Sequence, residues 1–336
     1  MSVTPFGFND KNEPVSLYTV ENEFLSLSVT DYGATMVSIV DKATDTDILL
    51  GYDSIEGYIK NDGHIGGFIG RTANRIKNGT FELNGKLHQL EVGIRGNNIH
   101  GGSIGFDRVM YDTRIEGNSI ICHRVSKDGE MGYPGDLDVT VTYTLDERTV
   151  EMKAEGKALD QDTIFGMTNH NYYNMDGSSD ILNHRVTIYA DQYAIDNEEG
   201  ISQMPLRPVE NTAFDFRKEK TLGQDINDPD PQIQNNKGYD HHWAVPGEGV
   251  RPFASCKGEK LELLVESNLP GMHVYTANFL KGAVGKKGIV HVPHLAVCFE
   301  PEYFPNGINT EGVEKLPIVR KGETSVQIIR MTVRPL

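Results

Sequence analysis

Short stretches in which every second residue is apolar dominate this sequence. In Leu137–Leu145 the apolar residues alternate with Asp and Thr, and Leu25–Val29, Arg185–Tyr189 and Val326–Val333 repeat the pattern. A period of two is typical of a strand with one face on a core. The 35 Gly and 15 Pro residues interrupt the chain at short intervals and leave little room for long helices. The pattern therefore predicts an all-β protein, built as a large antiparallel β-sandwich.

The length of 336 residues would suffice for about two average domains, although large all-β proteins often form a single one. We expect loops at Gly93–Gly105, Asp196–Pro208 and Asp225–Gly238, but none is long or biased enough to be an interdomain linker. No internal repeat is visible. The sequence therefore favours one continuous domain over residues 1–336.

The formal net charge is -16, from 48 acidic and 32 basic residues. A surface of that sign repels polyphosphate, so we expect no nucleic-acid partner and a neutral substrate. The longest apolar runs fall short of the ~18 residues that a membrane span needs, and the N-terminus lacks the basic and apolar segments of a signal peptide. We therefore expect a cytoplasmic protein without a membrane partner.

Two possible reactive motifs are weak. Cys122, Cys256 and Cys298 are widely spaced and match neither a disulfide framework nor a zinc pattern, so we expect inert thiols. Gly101–Gly105 matches the G-x-S-x-G motif of serine hydrolases, which requires a strand before it and a helix after it. The preceding residues, Arg95–His100, are typical of a loop instead. A serine nucleophile is not expected.

Polar clusters with Gly, Pro and aromatic neighbours interrupt the regular pattern. They are Ala73–Ile76, Asn97–Gly102, Thr168–Tyr172, Tyr239–His241 and Phe299–Glu302. Together they offer one Arg, three His, one Asp and a choice of two Glu. This set suits proton transfer to and from an uncharged polyol, with an imidazole as acid and a carboxylate as base. The clusters are far apart in the chain, so only the fold can bring them together.

The individual residues in these clusters carry different weight. His100 precedes a Gly pair, which suits a ligand loop and a structural histidine equally. Asp240 and His241 have no third ligand at helical or hairpin spacing, so no metal site is expected. Glu300 ends an apolar stretch, where burial would raise its pKa and bring a base nearer neutrality.

In the same motifs the chain resembles the aldose 1-epimerases, also called galactose mutarotases. The motifs run in order along nearly the whole chain: Gly70–Ile76, Asn98–Gly102, Gly105–Asp107, Met131–Gly135, Thr168–Asn174, Tyr239–His241 and Phe299–Glu300 with Pro305 and Asn309. The resemblance implies a galactose mutarotase-like supersandwich. It also implies interconversion of the α and β anomers of a free hexose, such as galactose or glucose, without a cofactor.

The resemblance also implies residue roles. His170 would be the general acid that protonates the ring oxygen, and Glu300 the base that takes the anomeric hydroxyl proton. The monosaccharide would be bound by Asn74, Arg75, His100, Asn171, Tyr172, Asp240 and His273.

Several positions depart from the family pattern, and two of them bear directly on the candidate site residues. His273 stands where a sugar-binding Gln is usual, and Glu302 replaces the Gln of a usual Glu-Thr-Gln. If the strand continues past Glu300, the carboxylates of Glu300 and Glu302 share a face, and repulsion raises the pKa of one of them.

Other functions stay open at this point. A glycosidase could use Asp240 and Glu300 as its carboxylate pair, and a non-catalytic sugar-binding protein could share the sandwich. A relative acting on hexose phosphates is disfavoured by the acidic balance and the lack of a basic cluster. We expect a monomer or a weak homodimer, and the preferred aldose is open.

Overall fold

The computed structural model describes residues 1–60 and 63–336, and strands make up most of the regular structure in them. In chain order the strands are β1 (Ser2–Phe8), β2 (Pro14–Glu21), β3 (Leu25–Thr30), β4 (Thr35–Asp41), β5 (Thr46–Asp47), β6 (Phe68–Ile69), β7 (Arg75–Ile76), β8 (Thr80–Leu83), β9 (Lys86–Gln89), β10 (Asn98–Ile99), β11 (Asp112–Glu116), β12 (Ser119–Ser126), β13 (Leu137–Asp146), β14 (Thr149–Ala158), β15 (Thr163–Ile164), β16 (Thr168–Asn169), β17 (Arg185–Ile188), β18 (Gln192–Asp196), β19 (Ser202–Pro208), β20 (Lys220–Thr221), β21 (Asp240–Ala244), β22 (Arg251–Lys257), β23 (Leu261–Ser267), β24 (Gly271–Tyr275), β25 (Cys298–Glu302), β26 (Ile318–Val319) and β27 (Thr324–Pro335). The α-helices in the described part are α1 (Ile55–Lys60) and α2 (Pro231–Asn236). Short 3-10 turns lie at Lys77–Gly79, Ile94–Gly96, Phe106–Arg108, Glu130–Gly132, Leu222–Gln224, Lys286–Gly288 and Gly307–Asn309.

Three antiparallel sheets form the body of the protein. The first runs β1-β2-β3-β4-β5, in chain order. The second has nine strands in the order β11-β12-β13-β14-β27-β23-β22-β17-β20, and the third runs β19-β18-β21-β24-β25. The remaining strands pair in twos, as β10-β7, β15-β26, β16-β6 and β8-β9. The predicted all-β, antiparallel architecture is confirmed.

The alternation of apolar and polar residues in the sequence corresponds to an alternation of buried and more exposed side chains in the structure. Every second residue of β13, beginning at Leu137, is at most 2% exposed, and the residues between them are mostly half-buried. One large apolar core is shared by the sheets: Leu27 of the first, Tyr143 of the second and Trp243 of the third belong to it. Such sharing follows from the need of each sheet to bury its apolar face. Within the described residues, no helix has the length and apolar character that crossing a membrane would need.

All three predicted loops contain regular structure, and Gly93–Gly105 holds the short strand β10 and a 3-10 turn. The stretch Asp225–Gly238 holds α2, where the Asp230 side chain accepts a hydrogen bond from Gln232 N at 2.8 Å and Pro231 occupies the first turn. Asp and Pro at these positions start a helix as readily as they form a turn. The stretch Asp196–Pro208 holds β19, whose prolines are tolerated because it lies at the edge of its sheet.

The three cysteines are free and buried. Burial raises the pKa of Cys122 to about 12, so this thiol stays protonated and inert.

A buried arginine anchors the segment that leads into the first polar cluster. Arg71 is 1% exposed, and its guanidinium donates to the oxygens of Ser126, Pro134 and Thr163 at 2.7 to 3.0 Å. Burial lowers the pKa of Arg71 to about 10, which still leaves it charged at neutral pH. The segment that precedes Asn74 is thus fixed from inside the protein.

Candidate active site

The third sheet has one apolar face and one polar face in its last three strands. Trp243 of β21, Met272 of β24 and Phe299 of β25 belong to the core. Because side chains alternate between the two faces of a sheet, the residues next to these three in each strand point to the face opposite the core. On that face His273 pairs with His242 on one side and with Glu300 on the other. This face carries the candidate active site.

Two further acids lie on the same face. Asp240 stands two residues before His242, and Glu302 stands two residues after Glu300. The strand therefore continues past Glu300, as the prediction for Glu302 required. Pro301 does not interrupt it, because β25 is at the sheet edge.

His170 reaches this face from another part of the fold. It follows β16, and its backbone N–H donates to Gly67 O at 3.0 Å while its carbonyl accepts from Gly66 N at 2.9 Å. Its Nε2 lies 3.6 Å from Glu300 Oε1, and the two side chains are only 8% and 3% exposed. The fold thus brings together His170 and Glu300, which are 130 positions apart in the chain.

Burial moves the pKa values of this pair in opposite directions. Burial and the neighbouring His64 and His273 lower the pKa of His170 to about 3. Burial raises the pKa of Glu300 well above its usual range; the positive charge of His273 opposes this rise, and the charges of Glu302 and Asp240 add to it. The shifts therefore favour a proton of this pair on Glu300 over one on His170.

Asn74, Arg75 and His100 lie close together because β7 pairs with β10. The His100 Nδ1 accepts from Asn74 N at 3.2 Å, which leaves its Nε2 to carry the proton and donate to a ligand. Arg75 is half-buried and donates to Gly200 O at 3.2 Å. The turn after His100 needs glycine: Gly101 has a φ of +87°, and a Cβ there would lie 1.8 Å from Gly70 O.

A network of hydrogen bonds joins the remaining polar groups. Asp240 Oδ1 lies 2.7 Å from His273 Nε2, and Glu302 Oε1 lies 3.2 Å from His242 Nδ1 and 3.3 Å from Asn74 Nδ2. Burial alone lowers the pKa of His273, but its hydrogen bond to Asp240 and the charges of Asp240, Glu302 and Glu300 outweigh burial and raise it to about 9. His273 is therefore a buried cation at neutral pH.

Asn171 and Tyr172, the two residues that follow His170, have different surroundings. The Tyr172 ring is stacked on the His170 imidazole with centroids 5.1 Å apart, and its hydroxyl donates to Gly63 O at 2.9 Å. Tyr172 therefore supports the imidazole from behind. Asn171 does not join the site: its amide lies 3.1 Å from Tyr173 Oη and 3.4 Å from Met36 Sδ, inside the core. The predicted sugar contact of Asn171 therefore stays a prediction and is not part of the site assembled here.

A histidine missed in the sequence lies beside the site. His64 Nδ1 lies 2.7 Å from Asp107 Oδ2, and its ring centroid is 4.8 Å from that of His100 and 6.1 Å from that of His170. The sequence signals were a His among glycines just before β6 and an Asp in one of the motifs. Neither indicated the other, because they meet only in the fold.

Among the described residues, one trio of side chains has the geometry for a metal ion. Ligand atoms of His170, Cys298 and Glu300 lie within 4.8 Å of one another, and all three residues are buried. Spacing along the chain could not indicate this trio. Burial raises the pKa of Cys298 well above its usual value, whereas the thiolate is the form that binds metals. The chemistry of these groups favours proton transfer over metal binding.

A buried imidazole and carboxyl 3.6 Å apart, with pKa values shifted in opposite directions, are typical of one class of protein, enzymes that act by general acid–base catalysis. The sequence profile described as aldose 1-epimerase matches residues 16–332. The galactose mutarotase of Homo sapiens is 36% identical over 308 residues, which cover 88% of this chain and 87% of the relative. The aldose 1-epimerase of Haemophilus influenzae is 35% identical over 307 residues, which cover 88% of each chain.

Solved structures agree with these sequence relatives. Galactose 1-epimerase from Lactobacillus acidophilus superposes with a TM-score of 0.89 at 27% identity, covering 99% of this chain and 98% of that one. An aldose epimerase homologue from C. elegans gives a TM-score of 0.87, covering 96% and 99%, and at 24% identity it supports the fold alone. The chain belongs to the aldose 1-epimerase family, and the enzyme is an isomerase.

Proposed function

We propose that this site interconverts the α and β anomers of a free aldose such as galactose or glucose, with His170 as the acid and Glu300 as the base. The observation that carries the proposal is the 3.6 Å separation of His170 Nε2 and Glu300 Oε1 in a buried setting. Neither group needs a cofactor for this chemistry. A neutral pyranose also fits a chain whose net charge is -16.

Ring opening uses the single proton of the pair. With that proton on His170, the imidazolium donates it to the ring oxygen while Glu300 takes the proton of the anomeric hydroxyl. The bond between C1 and the ring oxygen breaks, and C1 becomes a carbonyl. The open-chain sugar then faces a neutral His170 and a protonated Glu300, the distribution that the pKa shifts favour.

Ring closure reverses these transfers. After rotation about the C1–C2 bond, Glu300 returns its proton to the carbonyl oxygen and His170 takes the proton of the attacking hydroxyl. Closure on the other carbonyl face gives the other anomer. Each of the two groups can contribute about 10²–10⁴-fold to the rate.

The surrounding residues are assigned to sugar binding. His100 can donate through Nε2, Arg75 offers guanidinium donors, and Asp240 can accept from hydroxyl groups. Asn74 completes this set, and His273, which the sequence also predicted as a sugar contact, lies against Asp240 and Asn74. Tyr172 holds the His170 ring, and the pair of His64 and Asp107 lies on the side nearest His100.

Polarimetry on freshly dissolved α-D-galactose and α-D-glucose tests the proposal. We expect the optical rotation to relax faster in proportion to enzyme concentration, and the rate to be unchanged after treatment with a chelator. A chromogenic glycoside should stay intact. Relaxation at the spontaneous rate for both sugars, or release of the chromophore, would contradict the proposal.

The pH dependence follows from the shared proton. A second proton on the pair removes the base, and this occurs only as pH falls towards the His170 pKa of about 3. Loss of the last proton removes the acid, and this occurs only above the raised pKa of Glu300. We expect kcat to stay level from neutral pH down to about pH 5, well below the ~6.5 of an ordinary imidazole. After subtraction of the spontaneous rate, a kcat that halves near pH ~6.5 would overturn the assignment.

A further inference from the structure

A buried row of polar side chains leads away from the reacting pair. It runs from Asp240 through His273 to Glu302, with Asp240 Oδ1 2.7 Å from His273 Nε2 and Glu302 Oε1 3.7 Å from His273 Nδ1. The side-chain exposure falls from 22% for Asp240 to 7% for His273 and 1% for Glu302. Asp240 therefore faces the open side of the site, and Glu302 is the deepest member. The proton transfers of His170 and Glu300 do not use this row.

The deepest member needs a compensating charge. A buried carboxylate is costly unless a cation or several donors face it. His242 and Asn74 donate hydrogen bonds to Glu302, but burial lowers the pKa of His242 more than Glu302 raises it, so His242 is a neutral donor. The cation within reach of Glu302 is His273, which Asp240 also contacts.

We propose that His273 and Glu302 act as one ion pair that fixes Asp240 and Asn74 against the sugar, and thereby sets the apparent affinity for the aldose. Asp240 is held through His273 Nε2, and Asn74 is held through its Nδ2, 3.3 Å from Glu302 Oε1. His273 and Glu302 are positioning residues in this account. The inference depends on the proposed function, which takes Asp240 and Asn74 as sugar contacts.

Removing one charge and removing both charges have different consequences. In His273→Gln, Glu302 loses its cation and Asp240 loses its charged donor. In Glu302→Gln, His273 stays bound to Asp240 alone and can tilt towards it. The double variant removes both charges together, and two amides of suitable length can still hydrogen-bond across the strands. Coupling between contacting residues of this kind makes their effects non-additive.

A double-mutant cycle measured by polarimetry tests this proposal. We expect His273→Gln to raise KM by about tenfold or more while kcat stays within about threefold, because the proton pair is intact. The double variant His273→Gln/Glu302→Gln should have a lower KM than His273→Gln alone. KM increases that multiply, or a loss confined to kcat, would overturn the proposal. Arg330→Gln with Glu151→Gln removes a remote strand-to-strand ion pair and serves as the matched control.

A measurement on the unmodified enzyme gives an independent test. The titratable or polar groups that lie against His273 are Asp240 and His242 of β21, Glu300 and Glu302 of β25, and Asn74. Other titratable groups act on it electrostatically from a greater distance, namely Asp196, His100, His170 and His241. Because Asp240, Glu302 and Glu300 outweigh burial and raise the His273 pKa to about 9, KM should rise as pH passes from about 8 to about 10. In His273→Gln that rise should be absent.

The outcomes separate the two proposals. If the unmodified enzyme does not raise the rate of anomer interconversion above the spontaneous rate, the proposed function is contradicted. An active enzyme whose KM is flat to about pH 10 contradicts the ion pair alone, even if His273→Gln does not fold. Circular dichroism at each pH shows that the measured protein is native.

Discussion

Replacing Glu300 with Gln is expected to lower kcat/KM for anomer interconversion by about 10²–10⁴-fold, measured by polarimetry with the spontaneous rate subtracted. Gln keeps the size of the side chain but cannot take the anomeric proton. Because the amide also removes a buried, repelled acid beside Glu302, folding should be maintained. The loss would therefore come from the chemical step.

Two matched substitutions sharpen this result. Glu323→Gln makes the same change at an exposed residue and should leave activity unaltered. Glu302→Gln should weaken the enzyme mainly through KM. If Glu302→Gln caused the larger loss of kcat, the base would have to be Glu302 instead of Glu300.

Replacing His170 with Asn should cause a loss of similar size, and the double variant His170→Asn/Glu300→Gln should lose little more than either single variant. The reason is that the two side chains share one proton, and a pair that acts as a unit is already disabled by one substitution. Stopped-flow or conventional polarimetry on the three variants measures this. Losses that multiply would show that the two groups act independently.

The control for the imidazole is His123→Asn. His123 is 39% exposed on β12 and paired with Asp138, so the same substitution there removes a histidine from a different sheet. We expect full activity. Circular dichroism should show native spectra for all four proteins, since the main packing contact that His170→Asn removes is the stacking of the imidazole on Tyr172.

The strands could be predicted because their pattern is local. The alternation in Leu137–Leu145 depends only on which face is buried, and β13 reproduces it with one further residue. The helix α2 and the strand β19 were missed because their Pro and Asp residues have more than one use. Whether such residues make a turn, start a helix or occupy a sheet edge is decided by the neighbouring strands, which the local sequence does not specify.

The site could be predicted only in part. The resemblance indicated His170 and Glu300, and the fold brings them within 3.6 Å, although chain spacing alone could not have paired them. The sequence could not indicate that the Asn171 side chain lies in the core, because adjacent residues in extended backbone point to opposite sides. The contacts of His64 with Asp107 and of His242 with Glu302 join segments that have no local relation, so only three-dimensional structure could indicate them.

Strands β24 and β25 each have an apolar face and a polar face, and this limits how their sequence can change in evolution. Adding or deleting a single residue between Phe299 and Glu300 would move Glu300 and Glu302 to the apolar face of β25 and Pro301 to its polar face. Length changes are therefore forbidden in these strands, and new sugar preferences must arise through residue-for-residue replacement there or through altered loops at the rim.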